Sequence, residues 1–135
     1  MVEFNDIIKA IGIEPYYRDW QSDIVIYNAD CRLILPLIPD KSIDLVLTDP
    51  PYGLNIKMQG GTWGKKFKNS DMKDWDYLVE QELLDKIITL APVSEIWGGN
   101  NYYLPPSRCW LSWNKTQILE TLADFELAWT NMDKP

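Results

Sequence analysis

The chain has 135 residues, a formal net charge of −7 and a hydrophobic fraction of 46%. This length suffices for one globular domain but not for two, and the hydrophobic content argues against intrinsic disorder. Histidine is absent and the two cysteines, Cys31 and Cys109, lack metal-ligand spacing, which excludes a zinc site or a histidine-based triad. No apolar run approaches the roughly 18 residues of a membrane helix, and we expect a cytoplasmic protein with reduced thiols.

The first half of the chain predicts alternating helices and strands. Apolar residues at helical spacing predict a helix over residues 3–11. A strand is predicted over 24–27, a short helix over 30–37 and a second strand over 43–48. Leu45, Val46 and Leu47 put apolar side chains at both parities of this second strand, which indicates burial on both faces, as in a parallel sheet.

The second half continues this alternation after a long irregular segment. Residues 50–73 show no periodicity and contain four glycines, and a loop of that length is more often functional than incidental. Asp74 can cap a helix that ends near Leu90. Further strands are predicted over 93–97, 109–113 and 125–130. The chain is therefore an α/β domain whose sheet is at least partly parallel.

The strongest chemical signal is Asp49-Pro50-Pro51-Tyr52, at the carboxyl end of the second strand. Ligands of open α/β sheets bind at that end. The two prolines stiffen the backbone and remove two amide donors, so we expect an unpaired carbonyl at Pro50. A carboxylate, a carbonyl and an aromatic face suit methylation of an exocyclic amine, since the two oxygens can each accept one N–H while Tyr52 stacks on an extruded base. The alternative is that the four residues only form a strand-ending turn.

In its motifs, the chain resembles the β-type DNA amino-methyltransferases found in restriction–modification systems and phages. The resemblance covers about residues 24–130 and rests on several blocks in the same order. These blocks are Asn28-Ala29-Asp30-Cys31, Leu35-Pro36, Ser42 through Gly53, Trp97 through Tyr103, Pro105 through Arg108, Trp113-Asn114-Lys115 and Glu126 through Trp129.

The resemblance implies a partial Rossmann-like methyltransferase sheet, mostly parallel, with flanking helices, and S-adenosylmethionine and DNA as cofactor and substrate. It implies that Asp49, Pro50, Pro51 and Tyr52 carry catalysis and base binding. Asp30 and Asp49 would contact the cofactor, although Asp30 is about equally well explained as a helix N-cap. Residues 54–73 would form a mobile substrate loop. Its lysines would contact phosphates, although a solvated loop explains them too; they are Lys57, Lys65, Lys66 and Lys68.

The chain also departs from the family pattern. The cofactor motif, a strand ending in Asp-Pro-Phe with a Gly-rich turn, has no counterpart here, since Gly98-Gly99 lacks that context. We therefore expect residues 1–135 to form a single, incomplete catalytic domain from a truncated product or a larger enzyme. An exposed apolar sheet edge would then favour self-association or pairing with a C-terminal half.

Three functions remain open at this stage. The leading hypothesis is a DNA methyltransferase acting on adenine N6, with cytosine N4 possible because it needs the same geometry. Methylation of RNA or of a protein amide is a second enzymatic hypothesis, although protein-glutamine enzymes usually place asparagine first in the motif. The alternative class is a non-catalytic remnant or interaction module, which the acidic balance favours. Trp97 and Trp113 are expected in the core.

Overall fold

The computed structural model describes residues 2–53, 77–116 and 123–134. Within these ranges the helices are α1 (Phe4–Ile11), α2 (Cys31–Ile34) and α3 (Gln81–Leu90), with short 3-10 turns at Leu35–Leu37 and Gly99–Asn101. The strands are β1 (Tyr17–Asp19), β2 (Ile24–Ile26), β3 (Leu45–Thr48), β4 (Val93–Trp97), β5 (Trp110–Asn114) and β6 (Phe125–Thr130). None of the described helices is long and apolar enough to cross a membrane.

The N-terminal part consists of a helix followed by a small hairpin. Helix α1 occupies the predicted position and ends at Gly12, which has a left-handed backbone (φ 64°) and donates its N–H to the carbonyl of Ile8. Strand β2 also lies where a strand was predicted, but it pairs antiparallel with β1 in a separate two-stranded sheet. The sequence did not predict β1 because three residues of mixed polarity give no periodic signal.

The main sheet has four strands in the order β3-β4-β6-β5. Strands β3 and β4 are parallel, whereas β6 is antiparallel to both β4 and β5. The prediction of a mostly parallel sheet is therefore wrong for the described strands, and the sheet is mixed. The connection over residues 115–124 is shorter than the dozen or more residues that a parallel crossover needs, so β5 and β6 pair as an antiparallel hairpin.

Helix α3 belongs to the crossover that joins the parallel pair. Its buried residues Leu84, Ile87 and Leu90 pack toward the sheet. The helix was predicted to begin at Asp74, but residues 77–80 are not helical and α3 begins at Gln81. Leu78, which the predicted longer helix would include, is 49% exposed. Leu78 instead lies against Gly53, with its backbone N and Cα close to the glycine.

One face of the main sheet carries the core. Ile96 of β4 and Trp129 of β6 are adjacent in register and pack on Ile87 of α3, with all three nearly inaccessible to solvent. A second cluster brings together α1, the α2 region and the end of α3, through Ile11, Ile34, Ile38 and Leu90. Both helices α1 and α3 therefore help to cover this face. Their packing holds β3 and β4 in place, and so positions the residues that follow these two strands.

The opposite face of the sheet is open at β3, although Ala128 and Thr130 of β6 are buried on it. Leu45 and Leu47 of β3 are 48% and 62% exposed, while Val46 and Thr48, at the other parity, are half-buried. The prediction that β3 is buried on both faces is therefore wrong. Trp113 of β5 lies on the same open face and is 56% exposed. Apolar surface of this kind favours association with other apolar surface.

We expect the open face to drive self-association, and Leu47→Lys to weaken it because a buried ammonium group would have to be desolvated. Light scattering over a dilution series should show an apparent mass that rises with concentration for the unsubstituted chain and rises less for Leu47→Lys. Leu33→Lys is the matched control, since Leu33 is 64% exposed but lies on α2. A monomer that stays unchanged on dilution would contradict this hypothesis.

Candidate active site

The candidate site lies where the parallel strands β3 and β4 end. Thr48 pairs in register with Ile96, so the next residues, Asp49 and Trp97, emerge side by side at the carboxyl edge of the sheet. This edge is the usual location of ligand sites in α/β folds, because the loops that leave it diverge. The sequence predicted that the Asp49–Tyr52 motif follows the carboxyl end of a strand, and the structure confirms this position.

Asp49 is exposed and lines a crevice of about 430 Å³ on the open face of the sheet. The residues that line this crevice are Leu47, Thr48, Asp49, Trp97, Trp113 and Glu126. Two indole rings and a leucine side chain thus surround a carboxylate that is accessible to solvent. Such a combination of flat apolar walls and a hydrogen-bond acceptor suits a planar ligand that carries an N–H donor.

Trp97 and Trp113 were expected in the core, and that expectation is wrong. Trp97 is half-buried and Trp113 is exposed, and both contribute to the crevice. Trp113 pairs with Glu126 on the open face. Because β5 is an edge strand, Trp110 on the other face is also 42% exposed, although it pairs with the buried Trp129. Trp110 and Trp113 lie on opposite faces of β5, and the sequence alone gave no means of choosing which face would be covered.

A cation lies close to the crevice and was not predicted. Lys115 forms an ion pair with Glu126, and its ammonium group lies 5.8 Å from the centre of the Trp113 ring, within range of a cation–π interaction. Lys115 is therefore held by two crevice residues at once. It partly neutralises Glu126, so Asp49 is the crevice carboxylate without a lysine partner in the described part of the chain.

Tyr52 lies against Asp49 rather than standing apart from it. Its hydroxyl donates a hydrogen bond of 2.7 Å to Oδ1 of Asp49. Burial, and then this hydrogen bond and the negative charge of Asp49, raise the pKa of Tyr52 well above its usual value. The phenol therefore stays protonated and keeps donating across the physiological range. The carboxylate retains Oδ2 and further lone pairs for an external donor.

The ring of Tyr52 packs against the backbone of Gly98. A Cβ atom at Gly98 would overlap the ring atoms Cδ1, Cε1 and Cζ of Tyr52. Gly98 also has a left-handed backbone (φ 65°), immediately after β4. Glycine is thus required at this position for two reasons, the backbone conformation and the close approach of the aromatic ring.

The prediction of an unpaired carbonyl at Pro50 is wrong. The hydroxyl of Tyr102 lies 2.9 Å from the carbonyl oxygen of Pro50 and 2.7 Å from that of Pro51, and donates to them. The absence of ladder pairing was correctly inferred from the prolines, but a side chain distant in sequence supplies the donor. A carbonyl oxygen has two lone pairs, so that of Pro50 keeps acceptor capacity.

Asp30, predicted to contact a cofactor, serves in the structure as the N-cap of α2. Its Oδ1 accepts a hydrogen bond from the backbone N–H of Arg32 at 2.9 Å, and its carboxylate also pairs with the Arg32 guanidinium. These hydrogen bonds lower the pKa of Asp30 to about 2. The capping role is thus observed, whereas the cofactor role stays a prediction.

The remaining predicted contacts lie outside the described residues. They are the substrate loop over residues 54–73 and its lysines Lys57, Lys65, Lys66 and Lys68.

Gly98→Ala should reduce stability more than Gly12→Ala. Both glycines have nearly the same positive φ, which costs alanine about 1–2 kcal/mol. A Cβ at Gly12 would lie 3.8 Å from its nearest neighbour, whereas one at Gly98 would overlap Tyr52, adding about 1–3 kcal/mol of overpacking. Urea denaturation of both variants measures the difference. Equal losses would mean that the ring of Tyr52 moves away without cost.

Two partial sequence matches connect the chain with known enzymes. It is similar to the type II methyltransferase M.ScaI of Streptomyces caespitosus, with 38% identity over 55 residues, and to the type II methyltransferase M.BamHI of Bacillus amyloliquefaciens, with 33% identity over 77 residues. The matches cover 41% and 56% of this chain and 17% of the length of each relative. No protein-family model and no solved structure matches the chain. The two partial matches support a methyltransferase family for this chain.

Proposed function

We propose that the chain carries the amine-binding part of an S-adenosylmethionine-dependent DNA methyltransferase that acts on the exocyclic amino group of a flipped base, adenine N6 by preference. One observation carries this proposal: the Asp49 carboxylate is exposed in an aromatic crevice at the carboxyl end of a parallel strand. The names of the two partial relatives, both type II methyltransferases, support the same reaction class.

The geometry suits an exocyclic amine as the acceptor of a methyl group. The lone pair of an exocyclic amine is delocalised into the base, so the nitrogen is a poor nucleophile until its hydrogens are held out of the ring plane. Asp49 can accept one N–H, and the Pro50 carbonyl can accept the other with its remaining lone pair. In this proposal the hydrogen bonds from Tyr52 to Asp49 and from Tyr102 to Pro50 hold the two oxygens before the substrate arrives, which limits the reorganisation in the transition state.

The crevice walls would hold the base itself. Trp97 and Trp113 offer indole surfaces beside Asp49, and aromatic stacking contributes about 1–3 kcal/mol per base, which offsets part of the cost of unstacking. In this proposal the two tryptophans stack on the base together with Tyr52, whereas the sequence analysis expected only Tyr52 to do so. The hydroxyl of Tyr52 orients the carboxylate, since it already donates to Oδ1.

The described residues fit the methyl acceptor better than the methyl donor. S-adenosylmethionine supplies an activated methyl group on a sulfonium, and the resemblance implies that a Gly-rich turn, which has no counterpart in this sequence, binds it. The four-residue helix α2 begins instead at Asp30, whose carboxylate is occupied by Arg32. We therefore assign no donor-side step to these residues.

Asp49→Ala should lower methyl transfer about a hundredfold or more, because it removes a group that contacts the reacting amine. The whole gene product is incubated with adenine-containing duplex DNA and tritiated cofactor, and the rate and the methylated nucleoside are determined. DNA affinity should change little. Asp44→Ala is the control, since Asp44 is an exposed aspartate that precedes β3 rather than following it. Undiminished turnover of Asp49→Ala would refute the assignment of Asp49.

A non-catalytic interaction module is the second candidate function, favoured by the net charge of −7 and by the occupied carboxylate of Asp30. Calorimetric titration of the chain with S-adenosylmethionine distinguishes the two candidates. Micromolar binding by the chain would favour an enzyme and contradict the module. Absence of heat, together with absence of transfer by the whole gene product, would favour the module.

A further inference from the structure

Within the proline pair, one backbone torsion remains soft. Each proline ring fixes its own φ near −65°. A residue that precedes proline is confined to extended ψ values, which restricts both Asp49 and Pro50. The ψ angle of Pro51 has no such restriction, because Tyr52 follows it. This angle sets the direction of the Pro51 carbonyl and the direction in which the chain continues into Tyr52.

The hydroxyl of Tyr102 contacts the backbone at this torsion. It lies 2.7 Å from the Pro51 carbonyl oxygen and 2.9 Å from that of Pro50. A phenol has one hydrogen, so the two carbonyls share it or exchange it. Rotation about ψ of Pro51 would carry its carbonyl away from Tyr102 and lose the shorter of these two hydrogen bonds.

Tyr102 is itself well anchored. Its ring packs on the buried cluster of Ile87, Ile96 and Trp129. Its backbone N–H donates to the carbonyl of Gly99, which closes the 3-10 turn after β4. The hydroxyl therefore projects from the hydrophobic core toward the proline pair, and both the packing of the ring and the turn that contains it set its position.

We propose that Tyr102 is a positioning residue for the proposed methyl transfer: its hydroxyl fixes ψ of Pro51, which directs the chain into Tyr52, and holds the Pro50 carbonyl at one position within its extended range. The inference rests on the proposed function. Tyr102 does not touch the reacting atoms; it acts through the Pro50 carbonyl, which accepts from the amine, and through Tyr52, which donates to Asp49. The polar groups of the site are thus oriented by one hydroxyl that lies about fifty residues away in sequence.

The test is Tyr102→Phe, which removes the hydroxyl and keeps the ring on the core. Tyr103→Phe is a matched control, because it makes the same chemical change at the next residue, where the side chain is 88% exposed. Proline labelled with ¹³C at the carbonyl reports the hydrogen bonds of Pro50 and Pro51 by NMR, without any need for activity. Urea denaturation verifies that both variants remain folded.

We expect the carbonyl resonances of Pro50 and Pro51 to move in Tyr102→Phe and to stay in place in Tyr103→Phe. In the whole gene product, kcat should fall about 3- to 10-fold in Tyr102→Phe, the rate equivalent of one net hydrogen bond, while the KM for DNA is unchanged. We do not expect Tyr103→Phe, or any other substitution distant from the site, to restore the kcat that Tyr102→Phe loses.

Two results would overturn the inference while leaving the proposed function intact. The first is an active protein whose proline carbonyl resonances are the same with and without the Tyr102 hydroxyl. The second is an active protein in which those resonances move but kcat does not. Absence of methyl transfer by the unsubstituted protein is a separate result, and it would overturn the proposed function together with the inference that rests on it.

Discussion

The hydrogen bond from Tyr102 to the two proline carbonyls is the interaction on which the geometry of the candidate site depends. Pro50 and Pro51 cannot donate to a neighbouring strand, so the sheet ladder stops controlling the chain immediately after β3. Beyond β3, contacts with side chains determine the path of the backbone. Tyr102 holds the carbonyls from the direction of the core, and Gly98 provides the space in which the ring of Tyr52 lies against the end of β4.

The two faces of the main sheet have different roles. On one face, Ile96 and Trp129 pack with α3 and are almost fully buried, and this packing fixes the ends of β3 and β4. On the other face, Leu47, Trp97 and Trp113 line the crevice beside Asp49. Burial on the first face thus supplies stability, and the second face provides apolar surface for a planar ligand. The same strands carry both because successive side chains point in opposite directions.

The sequence predicted an element well where both of its faces are buried to a similar extent, or where a residue such as glycine marks its boundary. Strand β4 was predicted with its observed bounds, since Gly98 ends it with a backbone that few other residues adopt. The position of the Asp49 motif at a strand end was also predicted. Hydrophobicity alone did not show which face of β3 would be covered, because Leu45, Val46 and Leu47 are equally apolar although the residues of only one face are covered.

Other features depended on contacts between residues distant in sequence. The antiparallel placement of β6 between β4 and β5 follows from strand pairing, for which a single sequence gives no register. The donor to the Pro50 carbonyl is Tyr102, and no local pattern connects these two positions. Asp30 shows the opposite case, in which the local reading as a helix cap was sufficient to describe the observed hydrogen bond to Arg32.

The parallel register of β3 and β4 determines which changes in chain length the site tolerates. Asp49 and Trp97 are neighbours because Thr48 pairs with Ile96, not because of the number of residues between them. The entropic cost of closing a connection rises only slowly with its length, by about 0.6 kcal/mol for each doubling. Insertions or deletions in that connection, outside the Asp49–Tyr52 motif and α3, can therefore accumulate over evolution with little thermodynamic effect on the site, provided that the ladder itself stays in frame.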